Sequence, residues 1–224
     1  MISRLTRLFK GSEPKLGEIP KNYIAKFLPQ NPIIIEAGAH IGVDTLEMST
    51  LWPLGHIHAF EPIPAIFQTL KENTSKTRNV TCYPLALSDS NGTAEIFVSG
   101  GTSDGSSSLL APKEHLIEHP NVTFTTKIEV STITLDKWVV DESIRRIDFL
   151  WLDLQGYEFN VLKASPEILE SVLVIHTEVS LKHIYEDAPL YPELRQWIES
   201  KGFEVRFEAL PWNDAGNVLF VRRS

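Results

Sequence analysis

Ile33-Ile34-Ile35-Glu36-Ala37-Gly38-Ala39-His40-Ile41-Gly42 is the stretch on which the fold turns. Three consecutive β-branched residues predict a strand buried on both faces, because a strand with one wet face alternates apolar and polar residues. The glycine turn after it, and the helical composition of Val43 to Leu51, give the order strand, turn, helix. The same unit follows again. His56 to Phe60 reads as a strand ended by Glu61-Pro62, and Ile66, Phe67 and Leu70 make the apolar stripe of a helix over Ala65 to Asn73. Working outward, strands are predicted at Val80 to Tyr83, Ala94 to Val98, Lys127 to Thr132, Ile147 to Leu152 and Val172 to His176. Helices are predicted at Lys21 to Leu28, at Leu135 to Val140, through Val161, Leu162 and Ala164, and from Pro192 to Ser200 with Gly202 past its end. Strands alternating with helices predict an α/β protein with a doubly wound, mostly parallel sheet whose ligands sit at the carboxyl ends of its strands. The last two strands, Glu204 to Glu208 and Asn217 to Val221, flank the turn-rich Pro211 to Gly216 and predict an antiparallel hairpin at one edge. Ser99 to Ser108, rich in glycine and serine, reads as a long loop.

Composition narrows the class. A chain of 224 residues, 42% hydrophobic, holds enough apolar surface for one domain with a real core. Its longest apolar runs fall far short of the ~20 residues that cross a bilayer. A single cysteine, Cys82, excludes a disulfide framework and a cysteine-based metal site. Met1 to Lys10 lacks the apolar core of a secretory signal, which reads as a cytoplasmic protein. A net charge of −8 repels phosphate polymers, so nucleic acid is not an expected partner. The first thirty residues run against that balance, with Arg4, Arg7, Lys10, Lys15, Lys21 and Lys26 facing only Glu13 and Glu18. Residues 1–30 therefore read as a basic arm and 31–224 as the functional domain. Ile2, Leu5, Leu8 and Phe9 recur at helical spacing in the arm and suit a short docking helix, or less readily one lying on a membrane surface.

Chemistry concentrates at strand ends. Gly38 and Gly42 let backbone approach a ligand where any side chain would intervene, or let a helix pack closely on the strand. A dinucleotide fingerprint needs a glycine where this chain has His40, which disfavours a pyrophosphate. S-adenosylmethionine carries no phosphate, and Glu61 at the end of the second strand is placed to accept from both ribose hydroxyls. Asp153 ends the Ile147 to Leu152 strand. A carboxylate buried there must meet a cation, backbone donors or a wet cleft. It can act as a general base, or hold a divalent metal ion with Glu178. His176 and Glu178, two apart in a strand, share a face and complete the candidate catalytic set, with a core histidine as the alternative for His176. Gln155, Tyr157 and Glu158 are candidates for capping the next helix. His115-Leu116-Ile117-Glu118-His119 matches the His-x-x-Glu-His pattern of inverted zinc metalloproteases, but Pro120 stops the helix at once, so a zinc hydrolase is a minor alternative. Trp212, in a Pro-Trp-Asn-Asp loop, is a packing candidate like Trp138, Trp151 and Trp197, with stacking on a sugar ring as a second reading.

Glu36 to Gly42, His58-Ala59-Phe60-Glu61-Pro62, Ala86-Leu87-Ser88-Asp89, the serines 106 to 108, Thr134-Leu135-Asp136, Asp153 to Glu158 and Gly216 to Val221 together resemble the successive motifs of FkbM-type methyltransferases, over about residues 30 to 222. The resemblance implies a Rossmann-like class I methyltransferase fold, S-adenosylmethionine as cofactor, and a hydroxyl of a saccharide, glycan or natural product as acceptor. It implies that Glu36, Gly38, Ala39 and Gly42, with His40 in the same turn, line the methionine part of the cofactor. Glu61 and its neighbour Pro62 then fall at the ribose, and Ala86, Leu87 and the residues to Asp89 at the adenine. One departure stands out: Gln155 occupies a position where the commoner family form has glutamate, which bears on any role needing a second charge beside Asp153. A catalytically inactive cofactor- or glycan-binding module of the same fold is the principal alternative.

Overall fold

The computed structural model describes residues 16–223. Lys21–Ile24 (α1) runs into a 3-10 turn over Ala25–Phe27 and leads to β1 (Ile33–Ala37), buried from Ile34 onward as its composition requires. The chain continues through α2 (Val43–Leu51), β2 (His56–Phe60), α3 (Pro64–Thr74), β3 (Val80–Tyr83), β4 (Ala86–Leu87) and β5 (Gly92–Gly101). The single turn α4 (His115–Glu118) precedes β6 (Val122–Ile133), α5 (Leu135–Asp141), β7 (Phe149–Leu152), α6 (Glu158–Lys163) and α7 (Pro166–Leu169). β8 (Val174–Ser180), α8 (Tyr191–Ser200), β9 (Phe203–Ala209) and β10 (Ala215–Arg222) close the domain. Local chemistry sets several boundaries. Pro64 opens α3 where its missing N–H is harmless, and the Thr134 hydroxyl caps α5 by accepting from the Lys137 N–H.

Seven strands form one sheet in the order β3-β2-β1-β7-β8-β10-β9. The pairs from β3 to β8 are parallel, and β10 is antiparallel to both β8 and β9. The C-terminal hairpin therefore lies at one edge as expected, with its second strand inserted inside its first. One face of the sheet packs on Trp138, Leu162 and Ile198, and the other on Met48, Trp52 and Leu70. Ile19 and Ile24 are fully buried in that second layer, and the ammonium of the buried Lys21 reaches Asp44 at 2.5 Å and Glu47 at 2.8 Å. The described part of the basic arm is thus docked on the domain. The helical spacing of Ile2, Leu5, Leu8 and Phe9 lies outside the described residues. No described helix is long and apolar enough to cross a membrane.

Three expectations change. A second, three-stranded sheet in the order β4-β6-β5 stands beside the first. Its β5 takes up the first residues of the expected Ser99 to Ser108 loop. β8 starts two residues later than expected and runs to Ser180, which places Glu178 inside a strand.

Candidate active site

β1, β2 and β7 end side by side, and the turn after β1 is shaped by what it touches. Gly38 has φ +84°, and a Cβ there would fall 1.9 Å from the Asp153 carbonyl oxygen, so glycine is required for the turn to close on β7. Gly42 has φ +86°, but its missing Cβ makes room for Leu70 of α3 at 2.7 Å. Gly38, Ala39 and His40 line a cavity together with Glu61, Pro62 and Asp153. Its far end is apolar, walled by Ala86, Leu87, Ile63, Ile66, Ile96 and Leu109. Ile96 comes from β5, so the second sheet completes a pocket that the first only begins.

Glu61 is 5% exposed and its carboxylate is already aimed: Oε2 accepts the His40 N–H at 3.1 Å and Oε1 the Ile63 N–H at 2.8 Å. Glu61 lines the cavity, and each of its oxygens can accept one bond more, the capacity a vicinal diol needs. Burial pushes this carboxyl up to about 7, against the pull of the two backbone N–H groups. Across the cavity, His40 Nε2 stands 3.2 Å from Asp104 Oδ1, without hydrogen-bond alignment.

Two expected cofactor residues do not line the cavity. Glu36 lies beneath the turn, where it accepts a 2.6 Å bond from the Thr45 hydroxyl and where burial raises it to about 8. Gly42 serves helix packing, as stated. Glu158 folds back to accept the Leu154 N–H at 2.7 Å and so closes the turn after β7, while the N-cap of α6 carries no side-chain hydrogen bond, unlike the expected capping role. Tyr157 donates from its hydroxyl to Asp89 at 3.0 Å.

The turn after β7 also carries a junction. Gln155, at φ +53°, lines the first cavity and, with Gly105, a second one beside it. Its Nε2 donates to Asp153 Oδ1 and to Glu178 Oε2, each at 2.8 Å. Burial pushes both carboxyls up, Glu178 strongly, with the nearby Asp153 charge adding to it. Asp153 and Glu178 therefore do come together, but an amide donor stands between them. A divalent ion wants oxygen acceptors on every side, so the expected metal pair does not fit this geometry. Among the described residues, no group of three or more histidine, cysteine, aspartate or glutamate side chains could hold an ion.

His176 shares the Glu178 face but sits one step deeper, its ring stacked on Trp151 at 3.8 Å and 8°. Burial lowers it to about 3, and its Nδ1 has no partner. It lines neither cavity, so it does not join the two carboxylates at the rim. This corrects the expected three-residue convergence.

Glu178 faces the second cavity with Tyr185, His115, His119, Trp212 and Asp214. No described lysine or arginine lines it. Trp212 packs on Gly17, where a Cβ would fall 2.2 Å from the indole. The His-x-x-Glu-His segment does not assemble a zinc centre: Glu118 binds Lys182 at 2.6 Å, and His119 Nε2 is 2.6 Å from Asp214 Oδ2. Nothing in the sequence spacing joins His119 to Asp214; the contact depends on β10 lying next to β8.

Comparison with known proteins agrees with this geometry. The family model described as the methyltransferase FkbM domain matches residues 36–205. The chain is 32% identical over 161 residues to the 2-O-methyltransferase NoeI of Sinorhizobium fredii, covering 70% of this chain and 66% of that relative's length. It is 26% identical over 223 residues to methyltransferase sdnD of Sordaria araneosa, covering 88% of this chain and 83% of the relative. The crystal structure of methyltransferase FkbM from Methylobacillus flagellatus superposes with a TM-score of 0.55 at 12% identity, over 88% of this chain and 45% of that one. That superposition, over most of this chain, shows the Rossmann-like class I methyltransferase fold. With the family model matching most of its length, the chain belongs to the FkbM methyltransferase domain family.

Proposed function

We propose that the protein transfers the methyl group of S-adenosylmethionine to a hydroxyl of a saccharide or a similar polyhydroxylated acceptor. The observation that carries this reading is the pair of cavities meeting at Gln155 and Gly105. One offers an aimed carboxylate and an apolar slot, the needs of a nucleoside. The other offers carboxylates, imidazoles and an exposed indole, with no described cation, the needs of a neutral polyol rather than a phosphorylated acceptor. The 2-O-methyltransferase name of one relative supports oxygen as the methylated atom.

S-adenosylmethionine supplies an electrophilic methyl group on a positively charged sulfur. The chain's residues hold, orient and deprotonate. Glu61 accepts the ribose hydroxyls, and the turn at Gly38 and Ala39 admits the methionine end at backbone distance. Asp153, at the junction, opposes the positive charge. Glu178, on the acceptor side, takes the hydroxyl proton onto Oε, and such proton transfer contributes about 10²–10⁴-fold. Alignment of hydroxyl and methyl group supplies the larger share through positioning.

The direct test is transfer of label from methyl-tritiated S-adenosylmethionine to a panel of methyl glycosides. Labelled methyl ethers are the expected products. A folded protein that binds S-adenosylhomocysteine yet labels no hydroxyl compound would instead favour the inactive binding module.

A further inference from the structure

Two carboxylates that meet at one site repel each other, and a proton, a cation or hydrogen-bond donors between them relieve that repulsion. Here both hydrogens of one amide nitrogen are used, one on Asp153 and one on Glu178, at 2.8 Å each. The amide's orientation is fixed by its surroundings. Turned over, it would aim its oxygen at both carboxylates; as it stands, Oε1 faces the Tyr185 hydroxyl at 3.0 Å, whose proton is shared with the Ser106 carbonyl at 2.8 Å. The backbone is held as well. The Gln155 carbonyl accepts from the Ser108 hydroxyl at 2.8 Å, and Gln155 and Gly156 are both left-handed, at φ +53° and +94°.

We propose that the Gln155 amide occupies the place of a cation between Asp153 and Glu178, making the junction a metal-independent one and Gln155 a positioning residue for methyl transfer. The bridge itself stands on geometry; its role in transfer rests on the proposed methyltransferase reading. A neutral amide satisfies both carboxylates while leaving their negative charge for the sulfonium. A divalent ion in the same place would set two positive charges beside a third.

The test uses Mn²⁺ as the probe, followed by electron paramagnetic resonance on the intact protein, alongside calorimetry with S-adenosylmethionine and S-adenosylhomocysteine. Wild type is expected to leave Mn²⁺ free, and its affinities for both nucleosides to be the same in EDTA and in millimolar Mg²⁺. Gln155→Glu puts a third carboxylate at the junction and is expected to gain an Mn²⁺ site that the added change Asp153→Asn removes. In that variant Mn²⁺ should weaken S-adenosylmethionine binding by about tenfold or more, with a smaller effect on the uncharged homocysteine product. A purely structural role for Gln155 would not produce this charge-selective response. Should Gln155→Glu fail to fold, the wild-type titration decides alone. Mn²⁺ bound by wild type and lost in Asp153→Asn overturns the proposal; a free ion, or one indifferent to that substitution, upholds it. Failure of folded wild type to bind S-adenosylhomocysteine would defeat the methyltransferase reading and leave the Mn²⁺ result to judge the bridge separately.

Discussion

Glu61→Gln is the substitution whose effect can be worked furthest from the structure. The side chain keeps its shape, yet both carboxylate oxygens already receive backbone N–H groups, from His40 at 3.1 Å and Ile63 at 2.8 Å. Either placement of the new NH₂ opposes a donor to a donor. One buried N–H is orphaned, at a cost of about 1–3 kcal/mol. For a domain of this size that corresponds to a melting point lower by roughly 2–4 °C per kcal/mol. This cost is present with and without ligand, so it does not enter the dissociation constant. What does enter is the loss of charge-assisted bonds to the ribose hydroxyls, about 1.5–3 kcal/mol, or roughly a 10- to 100-fold weaker Kd. Titration calorimetry with S-adenosylhomocysteine and a thermal melt measure the two effects separately. Because the raised carboxyl near 7 must ionise to accept both hydroxyls, wild-type affinity should rise with pH through that value, and the variant's should not. A variant whose Kd stays within about twofold of wild type, with the same pH dependence, would refute the ribose assignment.

Other perturbations bear on separate parts of the account. Glu36 and Glu158 are both raised from 4.5 to about 8, so between those values the folded protein binds protons that the unfolded chain has released. Stability of the ligand-free protein should therefore fall as pH rises from 5 toward 8, by about 1.4 kcal/mol per pH unit for each such proton, and Glu36→Gln should flatten a denaturant-unfolding series across that range. Gly38→Ala drives a Cβ to 1.9 Å from the Asp153 carbonyl at a positive φ, and is expected to abolish S-adenosylhomocysteine binding or yield insoluble protein; a soluble, tight-binding variant would contradict the described turn. Trp212→Ala should leave the Kd for S-adenosylhomocysteine unchanged and raise KM for an accepted glycoside by about tenfold, the loss of one stacking contact. Equal damage to both would place Trp212 in the fold rather than at the acceptor.

The parts of the fold that read directly from sequence are those where burial alone dictates residue type. β2, β3 and α2 lie where His56 to Phe60, Val80 to Tyr83 and Val43 to Leu51 predict them, each bounded by turn residues and carrying apolar side chains at the spacing of its element. β5 and β6 were underestimated because much of each is exposed and polar, and their extent comes from antiparallel pairing with each other. The predicted strand stops at His176 while β8 runs on to Ser180, because its carboxyl end carries Glu178 and Ser180, polar residues that line the second cavity.

The site divides in the same way. Gly38, Glu61 and Asp153 were readable as strand-end residues, since parallel strands bring their carboxyl ends to one edge. Glu36 and His176 obey the right periodicity at the wrong depth: period two assigns a face and says nothing about how far below the rim a residue lies. The approach of Asp104 to His40, the His119 contact with Asp214 and the amide bridge of Gln155 are all tertiary. A left-handed backbone at Gln155 is foreign to its residue type, and only the assembled walls of both cavities hold it.

The central claim is that one cavity holds the cofactor and opens onto the other at Gln155. A crystal structure with S-adenosylhomocysteine tests this most directly. The account predicts the ribose hydroxyls on Glu61, adenine between Ile63, Ile66 and Ile96, and the sulfur directed at the Gln155 and Gly105 junction. A nucleoside bound elsewhere, or in this cavity with its sulfur sealed from Glu178 and Trp212, would contradict it.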